Sequence, residues 1–536
     1  MVKVTLIDRV IFHIVRYYGS LLGILGRAVT LPFLWGFEYI FEKCSRKVVN
    51  SPEMHARKLK HAQEQISTWN KNGRRTKLCT GRPGWQSMCL RTPAYKDSMT
   101  GIDLSKLDDI IQIDEEAMDE FEDGHCDIVT CDDDVVTVTK SDEKVSLTIT
   151  VEPLVTMGHI TRFLTPKGLM IPVVPEFDFL TVGGLVCGAG VETSSQKYGL
   201  FHNTCVSFEV LLCSGEVVTC SELNKQGENS DLFYAMPGSY GTIGFLTAAT
   251  IRLIKAEKFV KLSYLPVNSL DEASQAIRKE SLKNPGHDFV EGIMYSLHEG
   301  VIMVGSFTSK AEPGKINPVN RWYKKSFYKH VQDLSHSAPS VEYIPLRDYY
   351  HRHTYGIFWM THILVPYIDM PVMRWLFGWT AAGETNWYKL IPPSFRQFSE
   401  KIVVVQDFIV PIEITEKALT FFNDQVEIYP VWLCPSKSFN EPGFFKFDEK
   451  SDTMQLDIGI YGVPKNLEDY ELVKSNKIFE QFCLQNKCWK GLYADTFLTR
   501  DEFYEMFDPT LYNKVRKQLD CLDAFPDVYE KISGRI

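Results

Sequence analysis

An α+β fold of at least two domains is what this sequence predicts, and three features predict it. At 536 residues the chain exceeds what one hydrophobic core serves. Strand-like and helix-like segments alternate irregularly, without the fixed period of roughly 20–50 residues that marks a solenoid. Three glycine-rich loops are hung on β-type runs. The hydrophobic content of 44% and charged content of 24% are those of a globular chain. The net charge of −10 gives no electrostatic basis for nucleic-acid binding. Thirteen cysteines, an odd number without a C-x-x-C pair, point to reduced thiols in a cytosol-facing protein.

Taken in order, Tyr17–Phe41 is mostly apolar, with Tyr17, Tyr18, Trp35 and Tyr39 near its ends, as at a membrane interface. About 25 residues can span a bilayer. Arg27 in the middle costs ~3 kcal/mol on insertion scales, and Gly23, Gly26 and Pro32 weaken a continuous helix. A single span and a monotopic or hairpin insertion therefore both stay open for residues 1–50. A cleaved signal peptide fits poorly, because the apolar stretch starts late and has no small-residue cleavage site. More cations follow this stretch (Lys43, Arg46, Lys47, Arg57, Lys58, Lys60) than precede it (Lys3, Arg9, Arg16), so a cytosol-facing body is expected.

Ser51-Pro52 starts a helix, with Leu59, Ala62, Ile66 and Trp69 at helical spacing through Lys71. The first glycine loop, Cys79-Thr-Gly-Arg-Pro-Gly-Trp85, lies between the β-type runs Thr76–Cys79 and Ser87–Arg91; Gly81, Arg82 and Gly84 offer backbone donors, Arg82 adds its guanidinium, and Pro83 belongs to the same tight turn facing a pyrophosphate. Residues 114–134 form a densely acidic insertion. His125, Cys126 and Cys131 within it complete no zinc spacing, so a solvated loop is expected there and no metal. Val145–Val151 reads as a strand, Thr156–Thr165 as a helix and Leu169–Val174 as a strand. The second loop follows: Thr181, Val182, Gly183, Gly184, Leu185, Val186, Cys187, Gly188, Ala189, Gly190, Val191, Glu192 and Thr193, with four glycines in eight positions. Val206–Leu212 and Glu216–Cys220 flank Cys213-Ser-Gly215 as a hairpin. The third loop, Pro237–Gly244, brings Ser239, Gly241, Thr242 and Gly244 and leads into the strand-like Phe245–Ile254.

These three loops resemble the FAD-binding domain of the vanillyl-alcohol-oxidase type, the PCMH fold. It holds an extended FAD between two subdomains instead of on a Rossmann G-x-G-x-x-G helix, a motif not found here. Val151–Gly158, Lys197–Leu200, Glu342–Thr354, Leu492–Asp495, Glu505–Asp508 and Asp523–Tyr529 narrow the resemblance to the Δ24-sterol reductases (the 24-dehydrocholesterol reductase, Diminuto or seladin group), over roughly Ser51 to Lys531. The acidic insertion departs from that pattern, in which this connection is short. The resemblance implies a two-subdomain PCMH-type FAD domain at 51–255, an α+β cap or substrate domain at 256–494, and a helical segment at 495–536 that packs back on the FAD domain. It also implies an endoplasmic-reticulum membrane location, FAD as cofactor, NADPH as electron donor and a sterol as substrate.

In this superfamily a covalent flavin uses a histidine of the first loop or a cysteine of the second. Gly81–Trp85 has no histidine; Cys187 is present, but a buried free thiol is the commoner state, so non-covalent FAD is expected. The implied reaction saturates the alkene between sterol carbons 24 and 25. No carbonyl polarises that bond, so a positioned acid must protonate carbon 24 while hydride reaches carbon 25. The acid candidates are Tyr350, His351 and His353, then Tyr493 and Asp495. On a strand, His351 and His353 share one face; the pair lacks a third metal ligand, and a purely structural role for both stays open. Arg347 and Arg352 either meet NADPH phosphates or pair with Asp348 and Glu342. Trp322, Trp359, Trp375, Trp379 and Trp387 belong to cap packing, to a sterol tunnel, or at Trp375–Trp379 to a second membrane contact. Two other readings remain: an aldonolactone-type FAD oxidase using oxygen, which suits a membrane anchor poorly, and a non-catalytic membrane flavoprotein-like scaffold, against which the intact Thr181–Gly190 loop argues.

Overall fold

The computed structural model describes residues 51–86, 94–113, 137–140, 143–222, 229–381, 401–445 and 452–534, with scattered positions between 10 and 28. Most of the expected anchor, the acidic insertion and Trp387 lie outside the described residues. Among the described residues no helix is long and apolar enough to cross a membrane.

The helix Pro52–Lys71 buries His55, Leu59, Ala62, Ile66 and Trp69, the stripe its spacing predicts. Ser51 occupies its N-cap position without a side-chain bond, so proline in the first turn starts the helix instead. The buried stripe lies on the hairpin Cys205–Leu211/Val217–Ser221, where Asn70 donates to the Cys213 carbonyl (2.9 Å) and Gln63 to that of Gly215 (2.9 Å). Gly215, at φ 92°, makes the turn. Charge adds to the docking: His55 sits 2.8 Å from Glu152 and 2.9 Å from Glu209, and Lys58 pairs with Asp109 and Glu152.

Among the described residues, two large sheets and three short strand pairs build the part beyond this helix. Leu78–Thr80 and Thr100–Ile102 form a short parallel pair. A five-stranded antiparallel sheet runs Ile110–Ile113, Thr148–Val151, Phe245–Arg252, Cys205–Leu211, Val217–Ser221. The helix Met157–Leu164 follows, capped by the Thr156 hydroxyl, which accepts from His159 N at 3.2 Å. The strand expected over Leu169–Val174 shrinks to Leu169–Met170, because Pro172 and Pro175 remove the ladder donors beyond it.

The second, larger sheet is antiparallel throughout, in the order Ser340–Pro345, Phe259–Val267, Glu299–Thr308, Phe289–Ser296, Val431–Ser438, Thr453–Gly462, Val404–Pro411, Trp489–Lys490. The two-residue period sends Phe408, Leu433, Ile458 and Ile460 into a core with Phe422, Phe479 and Phe482 from the helices Thr415–Val426 and Leu472–Gln485. The alternate residues (Asp407, Ile409, Trp432, Asp457, Tyr461) point to the opposite face, where they line a cavity together with the glycine loops. Helices Arg500–Met506, Thr510–Gln518 and Val528–Ser533 then return to the strand Leu78–Thr80 and the third glycine loop: Leu78 N donates to Ala524 O (2.7 Å), and the hydroxyls of Tyr512 and Thr242 share a 2.6 Å bond.

Candidate active site

The inward face of the large sheet and the three glycine loops enclose a cavity of about 1070 Å³. That is at the upper end of the roughly 300–1,000 Å³ usual for ligand pockets. It has two ends of different chemistry.

One end is backbone and cations. From the first loop come Gly81, Arg82, Pro83 and Gly84; from the second Thr181, Gly183, Gly184, Leu185, Cys187, Gly188, Ala189, Gly190 and Val191; from the third Gly241 and Gly244. The stretch read as a loop is partly helical, Val182–Cys187, and this turns Val182 and Val186 into the core. Its glycines are required by close approach: a Cβ on Gly183 would sit 2.8 Å from Pro153 Cβ, and one on Gly188 2.8 Å from Gly184 O. Tyr240 and Gly241 are left-handed (φ 51° and 69°), and Tyr240 N donates to Cys187 O at 2.8 Å, tying the third loop to the second. Lys96 donates to the carbonyls of Thr80 (2.9 Å) and Arg82 (2.5 Å), Lys531 to that of Tyr240, and Arg82 to the Thr181 hydroxyl (3.2 Å). Glycine backbone ringed by three cations suits an anionic diphosphate, which is the fit a flavin dinucleotide needs.

Ser239, Thr242, Glu192 and Thr193 are buried behind this wall instead of lining it. Thr193 shares a 3.1 Å hydroxyl bond with Tyr349, and Glu192 accepts from Arg352 at 2.9 Å. Burial pushes the Cys187 thiol up to about 11, so it is protonated and a poor nucleophile at neutral pH.

The other end is apolar and aromatic: Phe177, Phe179, Phe358, Met360, Leu364, Ile409, Trp432, Tyr461 and Trp489. Phe358 touches Trp432 and Tyr461, with ring centroids at 4.9 and 5.3 Å. Ile357 and Phe358 are both left-handed, a strained pair at the cavity wall.

The five acid candidates separate. Tyr493 and Asp495 line the cavity; Tyr350, His351 and His353 do not. The expectation that the histidines share a strand face is corrected. Leu346–Tyr350 is helical and turns follow, so the two rings go different ways. His351 lies 2.8 Å from the Thr161 hydroxyl, and His353 stacks on Phe358 at 4.2 Å. Burial pushes both down to about 4, leaving neutral imidazoles at pH 7. The arginine alternatives are corrected as well. Arg347 pairs with Asp178, and Arg352 with Glu192 and Glu291, while Asp348 meets Arg321 and Glu342 meets His330.

Among the cavity groups that sequence reasoning missed are the cations Lys96 and Lys531 and, beside them, Glu176, Asp407, Asp457 and Tyr461. The available signal was an acid placed singly inside an apolar strand, in Val-Val-Gln-Asp407-Phe-Ile-Val and Gln-Leu-Asp457-Ile-Gly-Ile. Asp407 accepts from Tyr493 (2.7 Å) and Tyr461, yet burial still pushes it up to about 6. Burial also holds Glu176 and Asp457 well above the usual carboxylate range. Among the described residues, Asp108, Asp109 and Glu152 have metal-ligand spacing, but the Lys58 ammonium pairs with Asp109 and Glu152 there.

Comparison with known proteins agrees with this geometry. Residues 129–221 match the family model of the FAD binding domain, so the chain carries an FAD-binding domain of the PCMH type with mixed helix and sheet. It is 41% identical over 488 residues to Delta(24)-sterol reductase of Homo sapiens, covering 91% of this chain and 88% of that one. Delta(24)-sterol reductase homolog dhcr-24 of Caenorhabditis elegans is 39% identical over 520 residues (94% and 93%). Delta(24)-sterol reductase of Arabidopsis thaliana is 35% identical over 482 residues (85% and 80%). The chain belongs to the Delta(24)-sterol reductase family.

Proposed function

We propose that this chain reduces the Δ24 side-chain double bond of a sterol, with electrons passing from NADPH through a non-covalently held FAD. The observation that carries the reading is the continuity of one cavity, cationic and glycine-lined at one end, aromatic at the other. A sterol tail has no polar handle for a protein to grip, so an apolar slot is the recognition available to it. Arg82, Lys96 and Lys531 would hold the diphosphate of FAD, and Gly183, Gly184 and Gly188 would let its chain lie against the backbone. When bound, FAD supplies hydride. The protein excludes water, presses the alkene against Phe358, Trp432 and Tyr461, and provides the proton.

The same reading places the protein on the cytosolic face of the endoplasmic reticulum membrane. Support comes from the cation bias around residues 17–41 and from the helix Pro371–Phe377, whose Val372 and Trp375 are 67% and 66% exposed. This helix shares a segment with Met360 and Leu364 of the cavity wall, and Ile24 packs on Val365 and Ile368 beside it. Exposed apolar surface packed close to a residue of an apolar cavity's wall suits a lipid substrate delivered from a membrane.

The test is anaerobic incubation of the FAD-loaded protein in membranes with desmosterol and NADPH. Bleaching of the flavin and a saturated sterol product are the expected results. A turnover that requires oxygen and a sugar lactone, or a protein that takes up no flavin, overturns the reading.

A further inference from the structure

The reduction needs a proton donor against an unpolarised alkene, and the sheet's inward face carries one that neither histidine can match. In the strand Thr453–Gly462, Leu456, Ile458 and Ile460 lie in the core under the helices, which leaves Asp457 and Tyr461 toward the cavity. Asp457 stands opposite Ile409 on one side and Cys434 on the other. Asp407, opposite Gly459, is the next inward position of the neighbouring strand, so the two carboxyl groups share one stretch of wall.

Their surroundings differ sharply. Both oxygens of Asp407 are engaged, Oδ2 by the Tyr493 hydroxyl at 2.7 Å and Oδ1 by that of Tyr461. Asp457 is 1% exposed, and neither Oδ1 nor Oδ2 has a hydrogen-bond partner among the described groups. An ionised carboxylate left without donors in such a place costs several kcal/mol. Asp407 and Glu176, the carboxyl groups that act on it, raise that cost further whenever either is ionised. A carboxyl group in this position keeps its proton at pH 7, as acids held neutral in apolar pockets do.

Resting on the proposed reductase reading, the geometry points to Asp457 as the general acid of the reaction, with Asp407 and its two tyrosines as positioning residues. The O–H bond of Asp457 breaks, and a C–H bond forms at carbon 24 from the alkene's π pair. The positive charge left at carbon 25 faces the rings of Phe358 and Trp432 and is quenched by the hydride of the reduction. The carboxylate regains its proton from water between turnovers. Tyr493 acts at one remove: its hydroxyl proton is directed to Asp407, and it holds that group in place. Asp495 is oriented by its backbone, whose carbonyl accepts from Lys490 and from Gln406 (3.4 Å).

The deciding variant is Asp457→Asn, which preserves shape and removes the acidic proton. In the FAD-loaded protein, bleaching by NADPH stays within about twofold of the parent, while sterol reduction falls by roughly 10²–10⁴-fold, the span of general acid catalysis. The parent turned over in D₂O carries deuterium at carbon 24. A readout independent of turnover is infrared: the cofactor-free parent at pH 7 shows a protonated-carboxyl C=O band that loses intensity in Asp457→Asn. A variant that reduces the sterol within threefold of the parent, that fails to take up flavin, or that leaves the infrared band unchanged overturns the assignment. A parent that bleaches but never reduces the alkene defeats the proposed function itself, so the two failures are distinguishable.

Discussion

Replacing Arg352 with methionine should destabilise this protein more than any surface change, and the size can be worked from its contacts. The guanidinium is fully buried. It donates from Nε and Nη2 to the two oxygens of Glu291 (2.9 Å each), from Nη2 to Glu192 (2.9 Å), and from Nη1 to Tyr349 O (3.0 Å). It also lies 4.5 Å from the Tyr349 ring centroid. Against the pull of burial, the Arg352 guanidinium holds Glu291 down to about 2, from an ordinary 4.5. At about 1.4 kcal/mol per pH unit, that difference is worth ~3 kcal/mol. An independent route agrees: removing one partner of a buried ion pair costs about 3–5 kcal/mol. Glu192 behaves oppositely. It receives a single N–H from Arg352 and its Oε2 has no partner, so burial pushes it up, and the pair's charge resides on Glu291.

The sign in pH follows. A depressed carboxyl stabilises the parent above pH 4.5, and that stability is lost as pH falls toward 2. In Arg352→Met, burial instead raises Glu291, so acidification relieves the variant. Urea unfolding followed by tryptophan fluorescence should show a deficit of about 3–5 kcal/mol at pH 7 that narrows at pH 5. Arg352→Lys should recover part of it, having the charge without the fork. A deficit below about 1 kcal/mol, or one that widens on acidification, would refute the reasoning.

Three further outcomes are expected. Gly183→Ala should abolish flavin uptake while the fold survives by circular dichroism, because its Cβ would meet Pro153 Cβ at 2.8 Å and Pro153 O at 3.1 Å; normal yellow protein would contradict this. Acid precipitation should release the yellow chromophore into the supernatant from parent and Cys187→Ala alike, whereas colour retained in the parent pellet would show a covalent link. His55, despite the opposing effect of burial, is raised to about 9 by Glu152 and Glu209; its stabilisation is complete below pH 6.5 and fades as pH rises through 9. The hydrogen-exchange protection factors of residues 52–71, corrected for the intrinsic pH dependence of exchange, should therefore fall across that window in the parent and vary little in His55→Gln.

Much of the local structure was legible because it obeys short-range rules. Leu59, Ala62, Ile66 and Trp69 recur at a helical period and are the buried face of their helix. The Cys213-Ser-Gly215 turn sits where a left-handed glycine was needed. Proline blurred the strand after Leu169. The candidate site was half legible. Glycine clusters advertise close backbone approach wherever they occur, so all three loops could be read. Asp407 and Asp457 carry no motif: each is one acid in an apolar run, and only the antiparallel register of two strands about 50 residues apart sets them on one wall. The histidines misled for the reciprocal reason. Adjacent in sequence to a polar, motif-like run, they are fixed by Thr161 and Phe358, partners that spacing cannot reveal.

The return of the C-terminal helices has a consequence for biogenesis. The cavity's lining begins at Thr80 and is closed by Lys531, Ile532 and Gly534, some 450 positions later. The cradle gains its last wall only when residues 531–534 have folded back against a lining that starts at Thr80, so a ligand is sealed in no earlier than that late step of folding.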